Sequence, residues 1–541
     1  MTQAALTHPP APPAPAAPEP APRGLLRRAA DRADWLGPIG VALFAGLLRF
    51  WNLGYPNAFV FDETYYPKDA WSLLEQGYEG TWPDSANADI LAVPQHVPLT
   101  SAPEFIAHPP LGKWVISLGE AAFGLHPFGW RFMTALLGTV TVLMLARIGR
   151  RLFGSTLIGC TAALLMSVDG LQLVMSRVGL LDGVQMFFVL AAFGSLLIDR
   201  DRTRTRLAAA REGNGPDGDR IRLGWRPWRI AAGVFVGAAC GVKWNGAMVL
   251  AAFGLLTVLW DQSGRRWAGA RRPWRSMLRR DAPPALLAMV GSALVVYVGA
   301  WAGWLATGGR NAGGYDRHWA DDRAGLSPDS FLGVPLPRLP MTWVPAPLRS
   351  LWHYHSQMYD FNTGLSTPHT YQSNPFSWLV QGRPVSMYWE QVPAGQHGCT
   401  ASGGCAAQIL GLGTPLLWWT ACFALVYLLW RWFFRRDWRS GAVLCGVAGV
   451  YLPWFQYQER TVFSFYMVVL VPFLCLAVAQ MLGAMLGPEG CTPERRRLGA
   501  AGAGLIVLAI VGCFAFFYPL YTAEVIPMTS WQDRMWFTSW I

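Results

Sequence analysis

The chain has 541 residues, of which 52% are hydrophobic and 14% are charged. This balance argues against a soluble enzyme, because so little charge does not keep several water-soluble domains in solution. The formal charge is +11, and 44 − 3 = 41 of the basic residues are arginines, since only Lys68, Lys113 and Lys243 are lysines. The arginines stand in bursts between apolar runs, whereas a nucleic-acid-binding module presents them on one soluble face. The composition therefore predicts a membrane protein with no nucleic-acid partner.

The first element in chain order is an Ala/Pro-rich segment. Residues 1–33 are predicted to be a disordered cytoplasmic tail, because they cannot bury a core and show no cleavable signal pattern. The apolar runs that follow are suited to a hydrocarbon layer of roughly 30 Å. They predict about eleven membrane spans, at 35–54, 129–149, 155–175, 180–199, 229–243, 244–260, 283–304, 411–430, 440–456, 461–483 and 499–519.

The arginine clusters predict the orientation of these spans. Basic residues of short loops are held on the cytoplasmic side, and every cluster falls there if the N-terminus is cytoplasmic. The segments then placed outside are 55–128, 305–410 and 520–541. The predicted organisation is a multi-pass cell-membrane protein with an N-terminal module at 34–304, an external loop at 305–410, and a C-terminal module with an external tail at 411–541.

Two cysteines of the long external loop differ from those in the apolar spans. Cys399 and Cys405 flank a Gly/Ser-rich stretch in the compartment where disulfides persist, so we predict that they pair. A metal role is the alternative, but no second Cys or His pair completes a zinc set. No metal site is predicted.

Two strings in the first external loop carry unusual polar groups. Asp62 and Glu63 are adjacent carboxylates among aromatics just after span one, where partial desolvation favours a functional site. The alternative is an ordinary belt of aromatic residues at the membrane interface, in which the two acidic residues have no catalytic function. The second string runs from His108 through two prolines to Lys113, and predicts a short interfacial helix that starts after the prolines. The alternative for this second string is a bend in the chain with a purely structural role.

A few cations are not explained by topology. Lys68, Lys113 and Lys243 interrupt a chain that otherwise uses arginine, which suggests positions where a compact charge matters. Arg131 and Arg460 begin spans from the outer side, where the natural partner of an arginine is a lipid phosphate. Chance placement of the lysines and anchoring to ordinary phospholipid by the arginines are the alternatives.

A third group of polar residues lies near the outer turn between spans three and four. Asp169 and Asp182 are close enough in sequence to Arg177 to pair with it. A structural pairing is preferred over catalysis for both.

Five strings share their order and spacing with one known family. They are Asp62-Glu63, His108-Pro-Pro-Leu-Gly-Lys113, Leu180-Leu-Asp182-Gly, Gly241-Val-Lys243-Trp-Asn, and Arg460 ahead of Phe463-Ser-Phe-Tyr466. Together they resemble the protein O-mannosyltransferases of glycosyltransferase family 39, and most of all the bacterial, actinobacterial-type branch. The resemblance runs from about Trp35 to the end. It implies an all-α polytopic fold of the C-type glycosyltransferase (GT-C) class. The external region 305–410 is too short, and too poor in strand patterns, for the β-trefoil domain of eukaryotic members.

The resemblance also implies a reaction and a set of roles. Mannose is transferred from polyprenyl-phosphate mannose to Ser or Thr of exported proteins, with inversion at the anomeric carbon. Asp62 is the expected base and Glu63 helps to place a substrate. Arg131, Lys243 and Arg460 are expected to bind the donor phosphate, with Lys113 a weaker candidate. No cofactor is required, and assistance by a divalent cation is left open.

Most of the remaining candidates lie in the long loop. His353, Tyr354 and His355, with His108 and Asp182, are predicted to bind acceptor or sugar, because aromatic and polar groups suit both. Coverage of the membrane surface is the alternative. An association with the secretion machinery is a further expectation. The rival functions are a GT-C transferase of another lipid-linked sugar to protein, lipid or glycan, and a transporter or lipid flippase, although no internal repeat favours the latter.

Overall fold

The computed structural model describes residues 23–92, 98–212, 218–307, 330–331, 334–335, 337, 339–488 and 490–541. Its helices are α1 (Arg23–Phe50), α2 (Tyr66–Gln76), α3 (Ala86–Ala92), α4 (Leu111–Phe123), α5 (Pro127–Phe153), α6 (Thr156–Ser167), α7 (Gly170–Arg177), α8 (Leu181–Glu212), α9 (Pro227–Val242), α10 (Gly246–Trp267), α11 (Pro273–Arg280), α12 (Ala282–Leu286), α13 (Ser292–Ala300), α14 (Ala302–Thr307), α15 (Ala346–Gly364), α16 (Pro415–Arg435), α17 (Trp438–Tyr451), α18 (Val471–Met485), α19 (Pro493–Phe517), α20 (Pro519–Thr522) and α21 (Met528–Gln532). The strands are β1 (Ser330–Phe331), β2 (Val334–Pro335), β3 (Val385–Val392), β4 (Cys405–Gly411) and β5 (Ile526–Pro527).

Every predicted membrane span coincides with a helical segment of the structure. Seven of the described segments are long and apolar enough to cross a membrane, and the pair α6–α7, bent by 65°, adds an eighth. Helix α9 is apolar but has only 16 residues. The multi-pass helical architecture is therefore confirmed, whereas the number eleven stays a prediction.

The N-terminal segment differs from the prediction where it is described. Helix α1 begins at Arg23, inside the segment 1–33 that was predicted to be disordered. The Ala/Pro tract ends at this point, and the leucines, arginines and alanines that follow are good helix formers. Residues 1–22 lie outside the described part of the chain. The other predicted boundaries, at 304 and 410, stay predictions.

The predicted short helix after the two prolines is confirmed as α4, whose N-cap is Pro110. Two glycines bring α4 close to α5. A Cβ atom on Gly119 would lie 2.4 Å from the carbonyl oxygen of Gly129, and one on Gly129 would lie 2.0 Å from that of Gly124. Only glycine permits this close approach of the two helices.

The long loop contains more regular structure than was predicted. It includes helix α15 and the antiparallel hairpin β3–β4, and β5 near the C-terminus pairs with β4. Every residue of β4 is buried, so its sequence lacks the alternation that marks a half-exposed strand. The predicted disulfide between Cys399 and Cys405 is confirmed, and it closes the turn of this hairpin.

Candidate active site

Asp62 lies on a single 3₁₀ turn, Phe61–Thr64, a short distance after α1. Phe61 has a φ of 53°, in the left-handed region that residues other than glycine rarely adopt. Successive side chains of a 3₁₀ turn point about 120° apart, so the two neighbouring carboxylates face different surroundings. Glu63 is fully buried, whereas Asp62 is partly exposed. Asp62 is therefore the carboxylate of the pair that a substrate can reach.

Glu63 is held by a buried ion pair with Arg131. The guanidinium donates from Nε to Oε1 and from Nη2 to Oε2, both at 2.8 Å. The same carboxylate accepts the N–H groups of Val60 (2.9 Å) and Gly179 (2.8 Å). Arg131 is 1% exposed. The pair thus fixes the turn that carries Asp62.

The remaining donors of Arg131 bind the backbone that leads to this turn. Nη1 donates to the carbonyls of Leu53 (3.3 Å) and Pro56 (3.0 Å), and Nη2 donates to that of Ala58 (2.9 Å). An arginine has five N–H donors, and all five are engaged. This geometry does not support the predicted contact of Arg131 with a donor phosphate, nor a substrate contact for Glu63. Their hydrogen bonds hold the turn that carries Asp62, and the predicted substrate contacts stay predictions.

Asp182 pairs with Lys243 and not with Arg177. Lys243 Nζ lies 2.7 Å from Asp182 Oδ2, and both residues are largely buried. Arg177 donates to the carbonyls at the end of α1 and just after it, those of Leu48, Arg49, Trp51 and Asn52. The expected pairing of Asp182 with Arg177 is therefore corrected.

Asp169, the other acid of that outer turn, likewise has different partners. It caps α7 and accepts hydrogen bonds from Thr414 N and from the Trp418 indole at 2.8 Å. Its role is structural, as preferred, although Arg177 is not its partner.

The charged pair of Asp182 and Lys243 lies beside Asp62. Burial raises the pKa of Asp62 to about 6, and the negative charge of Asp182 acts in the same direction. The positive charge of Lys243 and a hydrogen bond with Tyr66 oppose this rise in the pKa of Asp62. A carboxyl with a pKa near 6 is ionised at neutral pH and is a stronger base than an ordinary aspartate.

Three of the cations singled out in the sequence converge on His108. Burial lowers the pKa of this imidazole well below its usual value, and the charges of Lys243, Lys113 and Arg460 lower it further. His108 is therefore neutral at physiological pH. Its ring lies 6.4 Å from that of Tyr66, the residue that meets Asp62. The carboxylate and the cations thus belong to one site.

The cations differ in how far they are already neutralised. Lys113 is 1% exposed and forms ion pairs with Asp69 (2.8 Å) and Glu79 (3.2 Å), which leaves it a poor candidate for a further anion. Among the described residues, Lys243 forms one ion pair, with Asp182, and it lies 5.1 Å from the ring centroid of Tyr466. Arg460 is partly exposed and, in the part of the chain that the structure describes, forms no ion pair. Arg460 is the cation with the most unused charge.

Two of the three predicted acceptor-binding residues of α15 are hydrogen-bonded within the protein. Tyr354 is fully buried, and its hydroxyl donates to Ile106 O at 2.7 Å and accepts a hydrogen bond from Ile106 N. His355 is hydrogen-bonded to Leu351 and Tyr297. Tyr354 is therefore closed to an acceptor, whereas His355 is partly exposed and its predicted role stays a prediction. His353 is partly exposed, and its predicted role stays a prediction.

Three residues of the site were missed from the sequence as individual candidates. Tyr66 meets Asp62, and Tyr466 lies near Asp62, Asp182 and Arg460. Asn362 contacts Arg460 and the loop before His108. Tyr466 stands in one of the resembling strings, which is the signal that marks it. The contacts of Asn362 span 98 and 255 residues of sequence, so no local pattern reveals them.

No metal centre is evident within the described ranges, where no group of three or more His, Cys, Asp or Glu side chains is arranged to hold an ion.

Comparison with known proteins identifies the family of the chain. Residues 40–301 match the family model described as dolichyl-phosphate-mannose-protein mannosyltransferase, and residues 347–540 match the C-terminal four-transmembrane region of protein O-mannosyltransferases. The polyprenol-phosphate-mannose–protein mannosyltransferase of Mycobacterium tuberculosis is 36% identical over 94% of this chain and 92% of its own length. The protein of the same name from Corynebacterium glutamicum is 33% identical over 92% of each chain.

A solved structure extends the likeness to the fold. One chain of the S. cerevisiae protein O-mannosyltransferase Pmt1–Pmt2 complex bound to the sugar donor superposes with a TM-score of 0.68, at 16% identity, over 94% of this chain and 93% of its own. The predicted GT-C fold is thereby confirmed. The chain belongs to the dolichyl-phosphate-mannose–protein mannosyltransferase family.

Proposed function

We propose that the chain transfers mannose from polyprenyl-phosphate mannose to Ser and Thr hydroxyls of exported proteins. The family supplies the class of reaction, that of a membrane-embedded glycosyltransferase. The observation that carries the proposal is the partly exposed Asp62 carboxylate beside cations that converge on His108. A base next to an anion-binding group is what this transfer needs.

Asp62 acts as the base. The acceptor oxygen forms a bond to the anomeric carbon while the bond from that carbon to the phosphate oxygen breaks. The electron pair of the broken bond leaves with polyprenyl phosphate, and the hydroxyl proton moves to the Asp62 carboxylate. One displacement inverts the anomeric configuration. The pKa of about 6 keeps the carboxyl ionised at neutral pH while making it basic enough to accept a proton.

Arg460 and Lys243 stabilise the departing phosphate. Arg460 presents a guanidinium that is not paired with any described acid, and guanidinium geometry suits phosphate oxygens. Lys243 is held in place by Asp182, which also keeps its ammonium next to Asp62. His108, whose pKa both cations lower, contacts the sugar or the phosphate as a neutral imidazole without adding charge. The structure around the site is held in place by Lys113, Arg131 and Glu63.

The site works at the outer face of the cell membrane. The arginine clusters favour a cytoplasmic N-terminus, and with an odd number of spans the first loop, the long loop and the C-terminal tail lie outside. Acceptors then arrive as they are exported, and an association with the secretion machinery would deliver them unfolded. No divalent cation is needed for this chemistry, because Arg460 and Lys243 supply the positive charge.

The experiment is a transfer assay with the purified full chain in lipid. A Ser/Thr-containing peptide is offered with polyprenyl-phosphate mannose or with the same carrier bearing another sugar, and the product is analysed by mass spectrometry and NMR. We expect mannose on the hydroxyl oxygen with inverted configuration. Transfer of a different sugar in preference to mannose would support the rival GT-C activity, and a retained configuration would overturn the single displacement.

A further inference from the structure

Helix α15 of the long loop touches the site at three separate places. Its polar side chains bond to the chain just before His108 and to the guanidinium of Arg460, and the ring of His355 stacks on Trp244, which follows Lys243. None of these contacts is local in sequence. The helix therefore links parts of the site that the fold supplies from different segments.

The contact with Arg460 runs through the amide of Asn362. Oδ1 accepts a hydrogen bond from Arg460 Nη2 at 3.1 Å. Nδ2 donates to the carbonyl of Ala107 at 3.0 Å and to that of Met358 at 2.9 Å. Ala107 directly precedes His108. One side chain thus fixes the distance between the loop that carries His108 and the cation proposed to bind phosphate.

Arg460 is otherwise weakly held. Within the described ranges, the Asn362 amide is the one side-chain hydrogen-bond partner of its guanidinium, and its Nε is buried with no partner at all. A buried N–H without an acceptor is costly, and a ligand oxygen would relieve that cost. The guanidinium thus keeps hydrogen-bonding capacity that no described group of the protein uses, and Arg460 as a whole is partly exposed, which leaves it open to an anion.

The contact behind Lys243 is a relay of neutral hydrogen bonds. His355 Nδ1 donates to Leu351 O at 2.7 Å, so its Nε2 is the acceptor of the bond with the Tyr297 hydroxyl, at 2.6 Å. The Tyr297 oxygen in turn accepts the indole N–H of Trp244 at 2.7 Å. Trp244 follows Lys243 in sequence, so α15 also fixes the backbone that carries this second cation.

We propose that Asn362 of α15 is a positioning residue for the donor phosphate, and that it acts through Arg460 and the His108 segment. This inference rests on the proposed function. An amide suits the task because it orients the guanidinium without cancelling its charge. A carboxylate at the same place would form an ion pair with Arg460 and compete with the phosphate.

The test compares donor and acceptor kinetics of Asn362→Asp and Asn362→Leu with those of the unaltered full chain. The acidic variant keeps an oxygen for Arg460 but adds a charge, so we expect the KM for polyprenyl-phosphate mannose to rise about tenfold or more while the KM for the peptide stays unchanged. The inhibition constant of polyprenyl phosphate should rise in parallel. Asn374→Asp is the matched control, because Asn374 is exposed and bonds to Gln458.

A second comparison separates positioning from general structural damage. In an Arg460→Ala background, Asn362→Asp should raise the donor KM far less than in the unaltered chain, because the effect through Arg460 is gone and only the contact with the Ala107 carbonyl remains. An unchanged donor KM in Asn362→Asp, or a full additional effect in the Arg460→Ala background, would overturn the inference. If Asn362→Leu does not fold, the acidic variant still decides the question. Failure of the proposed function is distinguishable, because the unaltered chain would then transfer no mannose.

Discussion

The buried pair of Arg131 and Glu63 gives the sharpest test of which residues frame the site. Arg131→Met removes five hydrogen bonds, two to the carboxylate and three to the carbonyls of Leu53, Pro56 and Ala58. It also leaves the Glu63 charge buried without its cation. Breaking such a pair from one side costs about 3–5 kcal/mol. We expect a loss of that size in the free energy of unfolding.

Two further variants test which interactions cause this loss in the free energy of unfolding. Arg131→Lys keeps the charge but offers three donors in place of five, so its loss should be smaller than that of Arg131→Met. The double variant with Glu63→Leu removes the lone carboxylate and should recover part of the stability. The recovery is incomplete, because the N–H groups of Val60 and Gly179 lose their acceptor.

The assay follows denaturation of the purified protein in detergent together with transfer kinetics, and Arg495→Met, an exposed arginine, is the control. If Arg131 has a positioning role, Arg131→Met should be less stable and should have a lower kcat, because Asp62 loses its fixed turn. The donor KM of the protein that remains folded should change little. A variant as stable as the unaltered chain but with a strongly raised donor KM would refute this reasoning and restore the phosphate contact.

Three more outcomes follow from the site. Because Asp62 must be ionised to accept a proton and its pKa is raised to about 6, kcat/KM should be flat at higher pH and fall about tenfold per pH unit below about 6; a profile without an acidic limb in this region would contradict the assignment. Asp182→Asn removes a negative charge that raises the pKa of Asp62 and leaves Lys243 unneutralised, so the acidic limb should move to lower pH, and an unmoved limb would count against the proximity of these groups. Replacing Cys399 and Cys405 by Ser opens a short surface turn and should lower the free energy of unfolding by about 2 kcal/mol with transfer rate preserved, whereas a large loss of kcat would tie the hairpin to catalysis.

Features that depend on local sequence were predictable. Spans follow from apolar runs, α4 from the prolines before it, and the disulfide from its compartment. The grouping of Asp62 with Lys243 and Arg460 was expected from the resemblance, and the structure brings these residues to one place.

The choice of partners was not predictable. Arg131 lies 68 residues from Glu63, and Lys243 lies 61 residues from Asp182, so only the packing of helices decides which charges meet. Arg131 was singled out because it breaks the positive-inside pattern. A buried acid such as Glu63 explains an arginine at this position as well as a lipid phosphate does. The burial of Tyr354 was missed for a similar reason, since an aromatic side chain looks the same in the sequence whether it binds a ligand or supports a site.

The most direct test of the account is mannose transfer by Asp62→Asn. The purified variant, in lipid, is compared with the unaltered chain and with Asp84→Asn, which changes an exposed carboxylate of the same loop. Polyprenyl-phosphate mannose and a Ser/Thr peptide are the substrates, and the rate of mannosyl-peptide formation is measured. We predict a loss of roughly 10²–10⁴-fold for Asp62→Asn alone, the contribution of a general base. Transfer by Asp62→Asn at the rate of the unaltered chain would contradict the assignment of Asp62 as the base.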